Sequence, residues 1–218
     1  MIQLRGFSKN FDNKTIFDSV DYEFKDFNFY GLVGESGCGK TTLLRLISLL
    51  DNQFDGELII SGKSIKGLKK KERENLRVDT FSYVFSNAQL FDYLTVKENI
   101  YLPCTLQKKT IDEGRLVSLS EQRKAFDLLD RKDVKSLSEG EKQRVSILRA
   151  LLLNNPVLIC DEPTAHLNEE LSKEITSLLL GVCKKDKKMR IRSTHDENLI
   201  SYFDKTLHVL NGKLIENE

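Results

Sequence analysis

The sequence predicts an α/β fold, a central sheet with helices around it, interrupted by a helical lobe. Three observations carry this. Short apolar strand-like runs alternate with helix-period segments at both ends of the chain. The run from Phe27 to Val33 leads straight into a glycine-rich stretch, GESGCGKTT, from which a helix departs. Residues 86–135 read as helical and charged, with Pro103 and no convincing strand. The 218 residues suffice for one sizeable core, or a core plus a small lobe, and fall short of two full-sized domains.

Taken in order, aromatic-rich strands are expected at Ile2 to Phe7, Val20 to Phe24 and Phe27 to Val33. Leu43, Leu44, Leu46, Ile47 and Leu50 have the spacing of an inward helix face, ending near Asp51 and Asn52 before a strand at Glu57 to Ile60. Residues 64–77 are charged and read as helix. Phe81 to Phe85 is an almost wholly apolar run, as in a strand buried on both faces. EQRKAFDLLD, with Ala125, Phe126, Leu128 and Leu129, typifies the helical lobe. After Ser138 a helix runs to Leu153, followed by a strand at Val157 to Cys160 and a helix after Asn168. A strand at Met189 to Thr194, a short helix and a terminal strand complete the chain.

Composition excludes several classes. Lys and Arg number 34 against 33 Asp and Glu, so the net charge of +1 gives no pull toward nucleic acid. Cys38, Cys104, Cys160 and Cys183 form no CxxC pair and have no histidine at metal-ligand spacing, which argues against a disulfide framework or zinc site and for a reducing, cytosolic compartment. The N-terminus has no apolar core of signal-peptide length. The most apolar stretches are broken by Arg45 or by Asn154, Asn155 and Pro156, so no membrane span is expected.

The chemistry-bearing pattern is Gly34-Glu35-Ser36-Gly37-Cys38-Gly39-Lys40-Thr41, then Thr42, which fills GxxxxGK plus Ser or Thr between a strand and a helix. Its glycines let backbone N–H groups and the helix N-terminus point at phosphate oxygens; Lys40 reaches the outer phosphates and Thr41 offers a hydroxyl to Mg²⁺. Downstream, the apolar run Val157 to Cys160 ends in Asp161 and Glu162, at the strand edge where ligands gather in open α/β sheets. Asp161 suits Mg²⁺ through water, and Glu162 suits polarising a water that attacks the γ-phosphate. These parts define only a P-loop nucleoside triphosphatase using Mg²⁺, and many unrelated enzymes share them.

Leu137-Ser138-Glu139-Gly140-Glu141-Lys142-Gln143-Arg144, with VSILRALLLNNPVLICDEPTAHL after it, resembles the signature and second acidic motif of ABC ATPases. Over nearly the whole chain the resemblance implies a P-loop NTPase core with a mostly parallel sheet, an N-terminal antiparallel β subdomain and an inserted α-helical subdomain. One ABC ATPase domain would span 1–218, with 1–85 and 136–218 as core and 86–135 as helical subdomain. It further implies an adenine-stacking aromatic at Phe11, a D-loop from Thr164 to Asn168 and a switch histidine at His195. Phe11 has a bland alternative as core, beside Phe7 and Phe17. Family members pair head to tail, so Ser138 and Gly140 would meet the partner's γ-phosphate, although Ser138 with Glu141 also reads as a helix capping box. His208 reads as structural and His166 as a D-loop residue at the dimer interface. The basic runs Lys69 to Lys71 and Lys184 to Lys188 read as solvated faces.

The implied function is an ATP-hydrolysing subunit on the inner face of the cell membrane, bound to a separate permease and forming a homodimer. The branch serving lipoprotein release, macrolide efflux and bacteriocin export is the nearest in pattern. A non-transport or regulatory ABC ATPase with weak turnover is the alternative, motivated by four departures. Ser86 replaces the expected glutamine, with Gln89 three residues later; Glu139 and Glu141 replace a glycine and a glutamine; Asn168 replaces an aspartate. At about 7 Å and an effective dielectric of about 20, each glutamate would cost phosphate docking roughly 2 kcal/mol, so weak dimer closure is expected.

Overall fold

The computed structural model describes residues 1–217 apart from 13, 123, 124, 166 and 187. Two compact units are formed, residues 1–81 with 187–218, and residues 82–186. His166, Arg123, Lys124 and Lys187, which fall in segments interpreted above, lie outside the described residues.

The first unit contains strands β1 (Ile2–Phe11), β2 (Lys14–Phe24) and β3 (Phe29–Val33), helix α1 (Lys40–Ile47), strands β4 (Asp55–Ile60) and β5 (Lys63–Ser64), and helix α2 (Lys70–Thr80). The second contains β6 (Phe81–Val84, whose first residue belongs to the first unit), α3 (Val96–Leu106), α4 (Glu113–Gln122), α5 (Glu139–Leu152), β7 (Val157–Asp161) and α6 (Glu169–Asp186). Strands β8 (Met189–Thr194), β9 (Lys205–Leu210) and β10 (Lys213–Asn217) return to the first unit.

The antiparallel sheet of the first unit has the order β2-β1-β4-β5. In β1 the inward residues are Ile2 and Leu4, then Phe7 and Lys9, so the alternation changes phase. A register shift between Leu4 and Phe7 causes it, at Gly6, whose φ of 52° favours glycine. One extra residue moves every later side chain to the opposite face, and Lys9 is thereby buried.

The other sheet of this unit runs β10-β9-β3-β8. Strand β3 is buried along its whole length, as expected of a strand flanked by parallel neighbours. It runs parallel to β8 and β9, with Val33 opposite Thr194 on one side and His208 on the other. The carboxyl ends of all three strands therefore share one edge, and the loops leaving those ends meet there.

Two expectations shift. The charged segment 64–77 begins as strand and turn, because the Ile65 amide donates to the Leu58 carbonyl, and its helix starts only at Lys70, where Glu72 accepts from the Lys69 amide. The terminal strand is a hairpin of β9 and β10, turned at Asn211-Gly212 with φ of 48° and 76°.

In the second unit α3 and α4 pack on α5, burying Val96, Ile100, Leu116, Val145 and Leu148, while β7 lies beside β6 and is buried throughout. Asn99 is fully buried and pins the preceding loop: its amide donates to the carbonyls of Phe91 and Thr95 at 3.0 Å, and its oxygen accepts from the Phe91 amide at 2.8 Å.

Candidate nucleotide site

The loop from Gly34 to Gly39 joins β3 to α1. Gly39 stands at φ 112°, and a Cβ there would lie 2.7 Å from Ile16 Cγ2, so both conformation and space demand glycine. Lys40, buried, donates from Nζ to the carbonyls of Gly34 at 2.7 Å and Glu35 at 2.9 Å, which curls the loop around one positive charge. No acidic residue occupies the first turn of α1, so its positive N-terminal end is left for an anion.

A cavity of about 700 Å³ opens at this loop. Residues 34–38 line it, together with His195 from the end of β8, Lys14 to Ile16 from β2, and the Asn211-Gly212 turn. The strand order thus brings the sequence-distant His195 to the phosphate loop. The imidazole is exposed just beyond Thr194, whose hydroxyl accepts from the Asp196 amide at 3.0 Å, and the Asp196 carboxylate in turn caps the next turn through the Asn198 amide. His208, assigned a structural role from sequence, also lines the cavity and lies 3.0 Å from the Asn217 amide nitrogen. Phe11 lies outside the lining, at the end of β1, 46% exposed and with the Lys9 ammonium 4.5 Å from its ring centre.

In the second unit Asp161 ends β7, buried, and the Tyr83 hydroxyl donates to its Oδ2 at 3.2 Å. Glu162 follows at φ 42°, a left-handed conformation that a non-glycine residue adopts at a cost of about 1–3 kcal/mol and that clusters at functional sites. Its carbonyl accepts from Ala165, starting the D-loop turn. Asn168 ends that turn as the cap of α6, its Oδ1 accepting from the Leu171 amide at 2.9 Å, a role asparagine fills as well as aspartate.

Ser138 caps α5. Its amide and hydroxyl donate to Glu141 Oε2 at 2.8 and 2.9 Å, and its Oγ accepts from the Glu141 amide at 3.3 Å. The Ser138 amide is the largest influence on the Glu141 carboxyl; with the Ser138 hydroxyl, Arg131 and Arg144 it outweighs burial and holds the pKa below the usual carboxylate range. Glu139 pairs with Lys142 at 2.8 Å. The two glutamates are therefore compensated within their own chain: the capping box is the one read from sequence, while the Glu139–Lys142 pair was not anticipated. Gly140 has a packing reason of its own, because a Cβ would lie 3.1 Å from Leu171 Cδ1.

Residues 85–89, where the glutamine is missing, are held to α5 through backbone. Gln143 donates to the Phe85 carbonyl at 3.0 Å, and Arg149 donates to those of Ala88 and Gln89 at 2.7 and 2.9 Å. Burial pulls the Arg149 pKa down from its usual value. Gln89 itself is exposed at φ 45°. Sequence reasoning missed Tyr83, Arg149 and the tether made by Gln143; only the buried-strand pattern of FSYVF placed Tyr83 near anything.

The sequence profile described as ABC transporter matches residues 17–165, from β2 through the loop, signature helix and Asp161-Glu162. The chain belongs to the ABC transporter family. It is the family's ATP-binding, ATP-hydrolysing subunit. The lipoprotein-releasing system ATP-binding protein LolD of Bacteroides fragilis is 30% identical over 223 residues, covering 99% of this chain and 100% of the relative. The methionine import ATP-binding protein MetN of Legionella pneumophila is 33% identical over 220 residues, covering 99% of this chain and 64% of the relative. Among solved structures, the dimeric post-hydrolysis state of the ATP-binding cassette MJ0796 bound to ADP and Pi superposes with a TM-score of 0.88 at 26% identity, over 100% of this chain and 98% of that one. Its ABC fold, a P-loop core with antiparallel β and α-helical subdomains, agrees with the expectation from sequence.

Proposed function

We propose that this ABC ATPase powers export or release of a substrate through a separate permease, by ATP-driven head-to-tail dimerisation at the inner face of the cell membrane. The observation that carries the reading is the phosphate loop curled around Lys40 with His195 at the same cavity. Similarity to LolD along that relative's whole length supports the release branch. Among the described residues no helix is long and apolar enough to cross a membrane.

In this reading one domain spans 1–218, with 86–135 as its helical subdomain. Gly34, Glu35, Ser36, Gly37, Cys38 and Gly39 cradle the phosphates; Lys40 neutralises the outer ones; Thr41 and Thr42 follow at the start of α1. Thr41 and Asp161 are hard oxygen donors, a hydroxyl and one carboxylate, which fits Mg²⁺, an ion that keeps several waters and shares substrate phosphates. Bound there, Mg²⁺ would neutralise charge on the phosphates. Glu162 orients the attacking water, and His195 contacts the γ-phosphate. Phe11 stacks on adenine. Ser138 and Gly140 serve the ATP of the partner copy.

A second reading, a regulatory subunit that turns over weakly, is favoured by Ser86 and by the commitment of Ser138 to Glu141. Steady-state phosphate release separates the two. A Glu162→Gln variant is expected to bind ATP normally and to lose at least about a hundredfold in turnover, in the range of a lost general base. Equal release by wild type and variant would overturn the catalytic assignment.

A further inference from the structure

Lys9 was no candidate in the sequence, yet it is the most deeply buried ammonium among the described residues, at 2% exposure. The bulge at Gly6 turns it inward. Nζ donates to the Gln53 carbonyl at 2.6 Å and reaches Asp51 Oδ2 at 3.4 Å, while standing 4.5 Å from the centre of the Phe11 ring. Asp51 is fixed in turn: its amide donates to the Arg45 carbonyl near the end of α1, and its Oδ1 accepts from the amides of Asn52 and Gln53. The cation has little freedom to move.

A buried cation on one face of an aromatic ring attracts it through the ring quadrupole and draws electron density toward that face. Phe11 keeps 46% of its surface exposed. The opposite face is then depleted of electron density, which suits stacking on an electron-rich purine. We propose that Lys9 is a positioning residue for the nucleotide base, its ammonium holding the Phe11 ring from one side as a platform for adenine on the other. The proposal rests on Phe11 being the stacking residue.

The test is calorimetric binding of ATP and of inorganic tripolyphosphate, each with Mg²⁺, to wild type, Lys9→Met, Lys9→Gln, Lys9→Arg, Phe11→Leu and the double variant Lys9→Met with Phe11→Leu. Both neutral Lys9 variants are expected to weaken ATP binding about tenfold, the scale of a desolvated cation–π contact, while tripolyphosphate binding stays unchanged. Lys9→Arg should retain ATP affinity, and Lys9→Met should add no loss to Phe11→Leu. Lys9→Gln keeps a donor for the Gln53 carbonyl and decides the matter should Lys9→Met fail to fold. Full ATP affinity in Phe11→Leu would sink the stacking reading and the proposal with it. If Phe11→Leu weakens ATP binding while the Lys9 variants do not, or if they weaken tripolyphosphate equally, the proposal alone is overturned.

Discussion

Ser138 serves two demands that compete. Its amide and hydroxyl hold the Glu141 carboxylate at the N-terminus of α5, where the helix dipole and Arg131, 3.8 Å away, favour a negative charge. In the proposed dimer a partner's γ-phosphate would need the same donors and bring the same sign of charge. Closure would then have to displace a carboxylate already held by Ser138. Glutamine in place of Glu141 can still cap the helix without the charge. Glu141→Gln in a Glu162→Gln background is expected to dimerise at about tenfold lower ATP, since one like-charge contact is worth about 1–2 kcal/mol near a surface after screening. Sedimentation velocity across an ATP titration measures it, and an unmoved midpoint would contradict the competition.

At the scale of elements, the strands that carry the site were readable because burial on both faces leaves an unbroken apolar run; β3 and β7 are of that kind. Chemistry at their ends was readable for the same reason, as Gly34 to Thr41 and Asp161-Glu162 directly follow such runs. Strand β1 was expected only from Ile2 to Phe7, and its inward face past Gly6 was not legible, because a bulge there changes which residues face inward and periodicity cannot register one inserted residue. The burial of Lys9 was therefore not anticipated. Helix α5 hid its second task similarly: Gln143 and Arg149 read as ordinary helix polars, but their partners are backbone carbonyls of residues 85–89, far away in sequence. Those bonds hold residues 85–89 to α5 through the main chain. Arg149→Ala would leave the carbonyls of Ala88 and Gln89 without their charged donor and is expected to cost about 2 kcal/mol of stability. Urea denaturation tests this; a loss below about 0.5 kcal/mol, the size of an ordinary surface change, would show the tether to be idle.

At the scale of the molecule, parallel pairing of β3 with β8 and β9 gathers the phosphate loop, His195 and the Asn211-Gly212 turn at one edge, and the sequence assigns each to a different stretch of chain. A sequence orders residues along a line; only the strand order brings Thr194 beside Val33. The cavity at that edge, about 700 Å³, is the place proposed for the nucleotide. What the ABC ATPase must do by itself is convert ATP binding into dimer closure. The most direct measurement is the mass in solution of the Glu162→Gln chain by light scattering, with MgATP and with MgADP. Dimers are expected with ATP in the millimolar range and monomers with ADP; a monomer at every ATP concentration, or the same dimer with either nucleotide, would contradict ATP-driven closure.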